Sequence, residues 1–216
     1  MHHPAVEEYL ETIFHLEESG VPAMRARLVE RLKFSAPSVS EQIKRLEREG
    51  YVQLGIDRTI RFTAEGRAYA AAVVRRHRLA ERLLVDMLGL PWHQVHEEAG
   101  RLEHAISPLL EARLVAVLGD PVTCPHGNPI PGSRQPYEPG PTRALSSVAP
   151  GQSATLVLVE EALQADHATL REMEAAGAMP GATVRVKPSG TSYVVLAPAG
   201  SCVLGSAAAG QVQVSA

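Results

Sequence analysis

His77 and Glu81 stand four residues apart. His96, Gly100 and His104 repeat that spacing, with Glu103 beside the last. Residues four apart share one face of a helix. Imidazoles and carboxylates pointing the same way can hold a divalent metal. All of these residues fall between Arg75 and His104, in two helical segments that meet at Gly89-Leu90-Pro91. A single His–Glu pair is an ordinary, weakly stabilising helix-surface pair. Five such groups on adjacent helices are a different matter, because clustered carboxylates repel one another without a cation. The stretch therefore reads as a metal sensor. Other chemistries lack their residues. A metallopeptidase needs His-Glu-x-x-His, and here His96-Glu97 is followed by Gly100 where the second histidine would stand. The chain has no glycine-rich phosphate loop and no Gly-x-Ser-x-Gly elbow. Cys124-Pro125-His126 lies in a proline-rich stretch without a partner motif and reads as incidental.

Several elements must position these residues. Pro4 to Glu18 reads as a helix with Val6, Tyr9, Leu10, Ile13 and Leu16 on one face. Its many glutamates, taken alone, form a solvated acidic face. Met24 to Leu32 reads as a short helix, followed by a polar turn. Pro37-Ser38-Val39-Ser40 opens another helix that runs to Glu49 and is capped by Gly50. That order is a helix-turn-helix. Tyr51–Leu54 and Ile60–Thr63 alternate like the strands of a hairpin, the wing of a winged helix. Between Arg25 and Arg82 there are 14 Lys/Arg against 7 Asp/Glu, within a chain of net charge −3. A basic helix-turn-helix with a wing points to DNA.

Thr63 can cap the next helix, expected from Glu65 to Leu88. Apolar residues here and from Ile106 to Leu118 suggest a dimer interface or an intrachain core. Gly119 to Gly151 holds half of the 16 prolines and reads as an extended, partly stiff linker. Beyond it, five strand-like runs surround one helix, Ala165 to Ala176, and suggest a small barrel. Two cysteines are too few for a disulfide framework and imply a reducing compartment. With no signal-peptide pattern and no apolar run of membrane-span length, the chain is expected to be cytoplasmic, with no membrane partner.

The order of parts resembles the diphtheria-toxin-repressor family of metal-dependent transcriptional repressors over nearly the whole length. The matching stretches are Arg25-Ala26-Arg27, Glu30-Arg31-Leu32, Pro37-Ser38-Val39-Ser40, Arg45-Leu46-Glu47-Arg48, the run HRLAERLL from His77, Val95-His96-Glu97-Glu98-Ala99, Glu103-His104 and Gly127-Asn128-Pro129-Ile130-Pro131-Gly132. The resemblance implies a mainly α chain with a small β domain: a winged helix-turn-helix over 1–71, a metal-binding and dimerisation domain over 72–120, a linker over 121–150 and an SH3-like barrel over 151–216. It implies an ancillary metal site of His77, Glu81 and His96, completed by Glu161 and Gln164. It implies a primary site at Glu103 and His104 with Glu8 and Glu11 of the first helix. Family members of the iron-sensing type carry methionine where this chain has Glu8 and cysteine where it has Gly100. Glu8 and Glu11 match the family's manganese branch, and Gly100 offers only its backbone carbonyl. An oxygen-rich site without sulfur suits Mn²⁺, with Fe²⁺ second.

The expected activity is metal-dependent repression by a homodimer on a double-stranded operator. Metal would fix the spacing of two recognition helices. Ser35, Pro37, Ser38 and Ser40 are candidates for groove contacts, and Arg25, Arg27, Lys44 and Arg58 for phosphate. The barrel is expected to tune the response and to dock partly through metal. Two alternatives are a winged-helix regulator of a small organic ligand and a metal-dependent hydrolase. Neither is expected, and no enzymatic activity is.

Overall fold

The computed structural model describes residues 4–135, 137 and 139–215; Pro136 and Glu138 of the proline-rich stretch lie outside them. The chain divides into two compact units, Met1–Arg76 and His77–Ala216.

In the first unit, α1 is Pro4–Glu18, and its expected stripe is buried. α2 is Arg25–Leu32 and ends at Lys33 in the left-handed conformation. α3 is Ala36–Arg48, with Val39, Ile43 and Leu46 buried. Ser35 caps α3 by accepting a hydrogen bond from the Ser38 N–H, and Pro37 fits the first turn, where its missing N–H costs nothing. β1, Val52–Leu54, and β2, Ile60–Phe62, pair antiparallel as the expected hairpin. Asp57 rigidifies the turn by accepting from the Thr59 N–H and hydroxyl. α4 is Ala64–Arg82, capped by the Thr63 hydroxyl as expected. Gly66 is required in this cap: a Cβ there would lie 1.8 Å from the Tyr51 carbonyl oxygen. Ala70 and Val74 of α4 join α1, α2, α3 and the hairpin in one hydrophobic cluster.

In the second unit, a π-helical segment, Leu83–Met87, continues α4. A 3₁₀ turn, Trp92–Gln94, leads into α5, Val95–Leu102. Glu103–Ala105 is another 3₁₀ turn, and α6 is Pro108–Val117, capped by Ser107. β3 is Thr142–Ala144 and β4 is Ser153–Val159. α7, Glu161–Gln164, and α8, His167–Ala176, follow. β5, Thr183–Ser189, β6, Ser192–Ala197, and β7, Gly200–Gly205, form a meander; α9, Ser206–Gly210, leads to β8, Val212–Ser215. The six strands make one antiparallel sheet in the order β3-β8-β4-β5-β6-β7. No pairing joins β3 to β7 among the described residues, so the sheet is open at both edges. β3, α7 and α9 are too short to leave a periodic trace in the sequence.

The stretch expected to be an extended linker is largely packed. Cys124, His126, Asn128, Ile130 and Ser133 are buried. The Asn128 side-chain amide donates to the Val159 carbonyl at 2.9 Å, and the Val159 N–H donates to the His126 carbonyl at 2.9 Å. Gly127 has φ +88°, and a Cβ there would lie 2.2 Å from the Val157 carbonyl oxygen. Backbone pairing with β4 thus satisfies a segment whose prolines rule out regular structure. Among the described residues, no helix is long and apolar enough to cross a membrane.

Candidate metal centre

α4 presents His77 and Glu81 on one face, both buried. The turn Trp92–Gln94 sets the start of α5, so that His96 arrives opposite: His77 Nε2 and His96 Nδ1 are 3.1 Å apart. α7 brings Glu161 to 3.6 Å from His77 Nε2 and 3.4 Å from His96 Nδ1. Four of the five residues expected to share a site therefore meet. The fifth, Gln164, is fully buried on α7. Its amide donates to the Val159 carbonyl at 2.8 Å, and its Oε1 is buried without a hydrogen-bond partner.

Two further potential ligands stand beside Glu81 that were not expected there. His126 Nδ1 lies 3.1 Å from Glu81 Oε1, with both residues fully buried. Cys124, Glu81 and His126 offer ligand atoms within 4.8 Å of one another, as do His77, His96 and Glu161. Cys124 and His126, expected to be incidental, thus stand beside Glu81 in the fold. The signal was present as a soft and a borderline ligand two residues apart, but its partner Glu81 stands more than 40 residues away. Glu81 Oε1 links the two groups, at 3.5 Å from His77 and 3.6 Å from His96.

The electrostatics favour a cation. Burial alone would raise the Glu81 pKa, but His126, His77 and His96 outweigh it and hold the carboxyl well below its usual range. Burial, reinforced by the Glu81 charge, pushes the Cys124 thiol well above its ordinary value. Glu103 is also buried and meets the other ring nitrogen of His77, Nδ1, at 2.5 Å. Glu81, Glu103 and Glu161 thus converge on His77. Arg78, fully buried, lies 3.5 Å from Glu161 and donates to the Pro129 carbonyl at 2.5 Å. A bound metal would offset the desolvation of these anions, and the nitrogen, oxygen and sulfur donors suit a divalent transition ion.

The remaining predicted ligands are placed as follows. His104 is half-buried, with Nε2 3.6 Å from Glu103. Gly100 lies on α5, and a Cβ there would meet no atom within 4 Å. Glu8 is exposed on α1, and Glu11 is half-buried, 3.6 Å from His15. Their neighbour Glu7 faces inward, accepting from the Tyr69 hydroxyl at 3.0 Å and from Arg76 at 3.2 Å. Burial, with Glu7 beside it, pushes the Tyr69 hydroxyl pKa up to about 12.

The predicted DNA contacts sit on or beside the helix-turn-helix and the wing. Arg27, Ser35, Pro37, Ser38, Lys44 and Arg58 are exposed, while Arg25 and Ser40 are half-buried. One of the serines has a structural duty: Ser35 Oγ caps α3 by accepting from the Ser38 N–H. Arg58 is held at φ +63° by the wing turn.

Comparison with known proteins agrees with this architecture. Residues 1–59 match the iron-dependent repressor N-terminal DNA-binding domain, and residues 63–132 match the iron-dependent repressor metal-binding and dimerisation domain. The iron-dependent repressor IdeR of Mycobacterium tuberculosis is 45% identical over 201 residues, covering 88% of this chain and 87% of that protein. The diphtheria toxin repressor of Corynebacterium diphtheriae is 53% identical over 126 residues, covering 58% of this chain and 56% of that one. A solved manganese-dependent transcriptional repressor in complex with manganese superposes with a TM-score of 0.83 at 36% identity, covering 97% of this chain and 98% of the other. Neither a hydrolase nor an organic-ligand sensor is favoured by these matches. The chain belongs to the diphtheria toxin repressor family: it is a metal-dependent, DNA-binding transcriptional repressor, not an enzyme.

Proposed function

We propose that this chain is a homodimeric repressor activated by Mn²⁺, with Fe²⁺ second, and that the buried cluster around Glu81 senses the ion. One observation carries the reading: a single fully buried carboxylate oxygen stands within 3.6 Å of three imidazole nitrogens. His77, Glu81, His96, Cys124, His126, Glu161 and Gln164 are the proposed ligands of this centre. A second set, Glu8, Glu11, Glu103, His104 and the Gly100 carbonyl, rests on the sequence pattern. Residues 1–71 bind DNA, 72–120 dimerise and hold metal, 121–150 supply Cys124 and His126, and 151–216 form the sheet domain whose α7 supplies Glu161 and Gln164. When bound, the metal supplies positive charge beside these carboxylates.

The dimer presents two recognition helices to major grooves about one turn apart, roughly 34 Å. Operator binding measured against free Mn²⁺, Fe²⁺ and Zn²⁺ under anaerobic conditions tests the proposal. A response that ignores metal would refute it. Phosphate contacts release counterions and are sequence-blind. Arg27→Ala should therefore weaken binding to operator and random DNA alike and lower the salt slope by about one. Unchanged affinity for both would remove Arg27 from the interface.

The second ligand set yields its own test. Sulfur donors favour softer ions than oxygen donors do, and the open space at Gly100 admits a larger side chain. Glu8→Met with Gly100→Cys should move the activation order away from Mn²⁺ by about tenfold relative to the other ions, which is about 1.4 kcal/mol. An identical ranking in wild type and double variant would show that these positions do not set metal choice.

A further inference from the structure

The metal ligands of the second unit come from α4, α5, the 122–130 turn and α7, so something must fix α5 against the sheet domain. The structure supplies one carboxylate at that junction. Glu174, on α8, accepts a hydrogen bond from the Trp92 N–H at 3.0 Å through Oε1. Its other oxygen lies 3.3 Å from the His93 N–H and 2.5 Å from His93 Nδ1. Trp92 and His93 open the 3₁₀ turn Trp92–Gln94, whose first N–H groups have no partner within the turn. Glu174, more than 80 residues further along the chain, satisfies two of them.

The junction reaches the ligands on both sides. Gln94 runs directly into α5, and His96 lies in its first turn. On the other side, α8 follows α7, which carries Glu161 and Gln164. Trp92 is buried in the hydrophobic cluster of the sheet domain. Its indole N–H donates to the Pro125 carbonyl at 3.0 Å, and its ring lies 4.7 Å from that of His126. These contacts join the helical segment to the sheet domain through groups of the chain itself.

We propose that Glu174 is a positioning residue of the metal centre, clamping the start of α5 to α8 so that His96 and Glu161 are held at coordinating distance. The proposal rests on the metal-sensing reading. Glu174 itself is not a ligand. It acts through the backbone of Trp92 and His93, and outer partners of this kind typically set metal affinity by 10–100-fold.

Co²⁺ is the probe, because its visible absorption reports the number and type of its ligands. Wild type, Glu174→Ala, Glu174→Gln, Glu161→Ala and Glu172→Ala are titrated with Co²⁺ anaerobically, and folding is checked by circular dichroism. Glu174→Ala should bind about tenfold more weakly, and its Co²⁺ spectrum should match that of Glu161→Ala, because the loosened junction takes Glu161 off the ion. Glu174→Gln keeps an oxygen for the Trp92 N–H but not both acceptors, so its affinity should fall between wild type and Glu174→Ala. Glu172→Ala, exposed on the same helix, should behave as wild type. A wild-type spectrum and affinity in folded Glu174→Ala, or in folded Glu174→Gln if the alanine variant does not fold, overturns the proposal. So does equal weakening in Glu172→Ala. A wild-type chain that takes up no Co²⁺ refutes the metal reading itself, and the positioning role falls with it.

Discussion

Glu81→Gln should abolish the metal response while leaving the protein folded. The substitution keeps the shape of the side chain and removes its charge. Glu81 is fully buried, and its Oε1 is 3.1 Å from His126, 3.5 Å from His77 and 3.6 Å from His96. Because both proposed ligand groups share it, losing it harms both. Removal of an outer partner alone costs 10–100-fold in metal affinity, so loss of a shared ligand should cost about 100-fold or more. Metal-free stability should fall by only about 1–3 kcal/mol, the usual cost of leaving a buried polar group poorly paired. Isothermal titration with Mn²⁺, thermal unfolding without metal, and operator binding at fixed free metal separate the two effects. A wild-type Mn²⁺ isotherm in this variant would take Glu81 out of the centre.

Leu109→Glu should yield a monomer that still takes up metal but no longer holds an operator. α6 leaves Leu109 73%, Leu110 43% and Val117 62% exposed, and Met87 and Leu88 are exposed nearby in sequence to α5. Singly exposed leucines are ordinary, but several on neighbouring elements mark a surface that another molecule covers. The segment lies within the match to a dimerisation domain, and a twofold interface repeats every substitution. Burying one leucine contributes roughly 1.5–3 kcal/mol. Losing two, with two charges introduced, should weaken the dimer by roughly 1000-fold or more. Operator affinity should fall towards the non-specific level, typically 10³–10⁷ weaker. Sedimentation at micromolar concentration and a gel-shift titration read the two effects, with Mn²⁺ uptake as the control. A Leu109→Glu chain that remains dimeric would place the interface elsewhere.

Much of the chain was legible from periodicity, and its limits are physical. The stripe Val6, Tyr9, Leu10, Ile13 and Leu16 predicted α1 as found, and Thr63, Gly50 and Pro37 marked helix ends through local backbone chemistry. Local rules could not show that Glu7 turns inward while Glu8 stays in solvent, since that depends on Tyr69 and Arg76 more than 60 residues away. The same reason hid Cys124 and His126. A candidate ligand is recognised by its partners, and theirs is Glu81, reached only once the proline-rich segment pairs with β4. Proline content marked that segment as irregular and was read as unpacked. Irregular backbone can be buried wherever its N–H and carbonyl groups find partners, as the Asn128 carbonyl does in the Cys124 N–H and the His126 carbonyl in the Val159 N–H. His77, Glu81, His96 and Glu161 were expected together from the family resemblance, and the fold brings both imidazoles within 3.6 Å of both carboxylates.

The scatter of the centre along the chain has a consequence for biosynthesis. The hydrophobic cluster of the DNA-binding unit uses residues up to Val74, whereas the proposed centre is incomplete until Glu161 has been made. At about 5–20 residues per second, the 85 residues from Arg76 to Glu161 take roughly 4–17 s to synthesise. A nascent chain therefore contains every residue of that cluster for seconds before the proposed switch can be complete. Requiring metal and a second copy for tight operator binding keeps such half-made molecules from acting as repressors in the meantime.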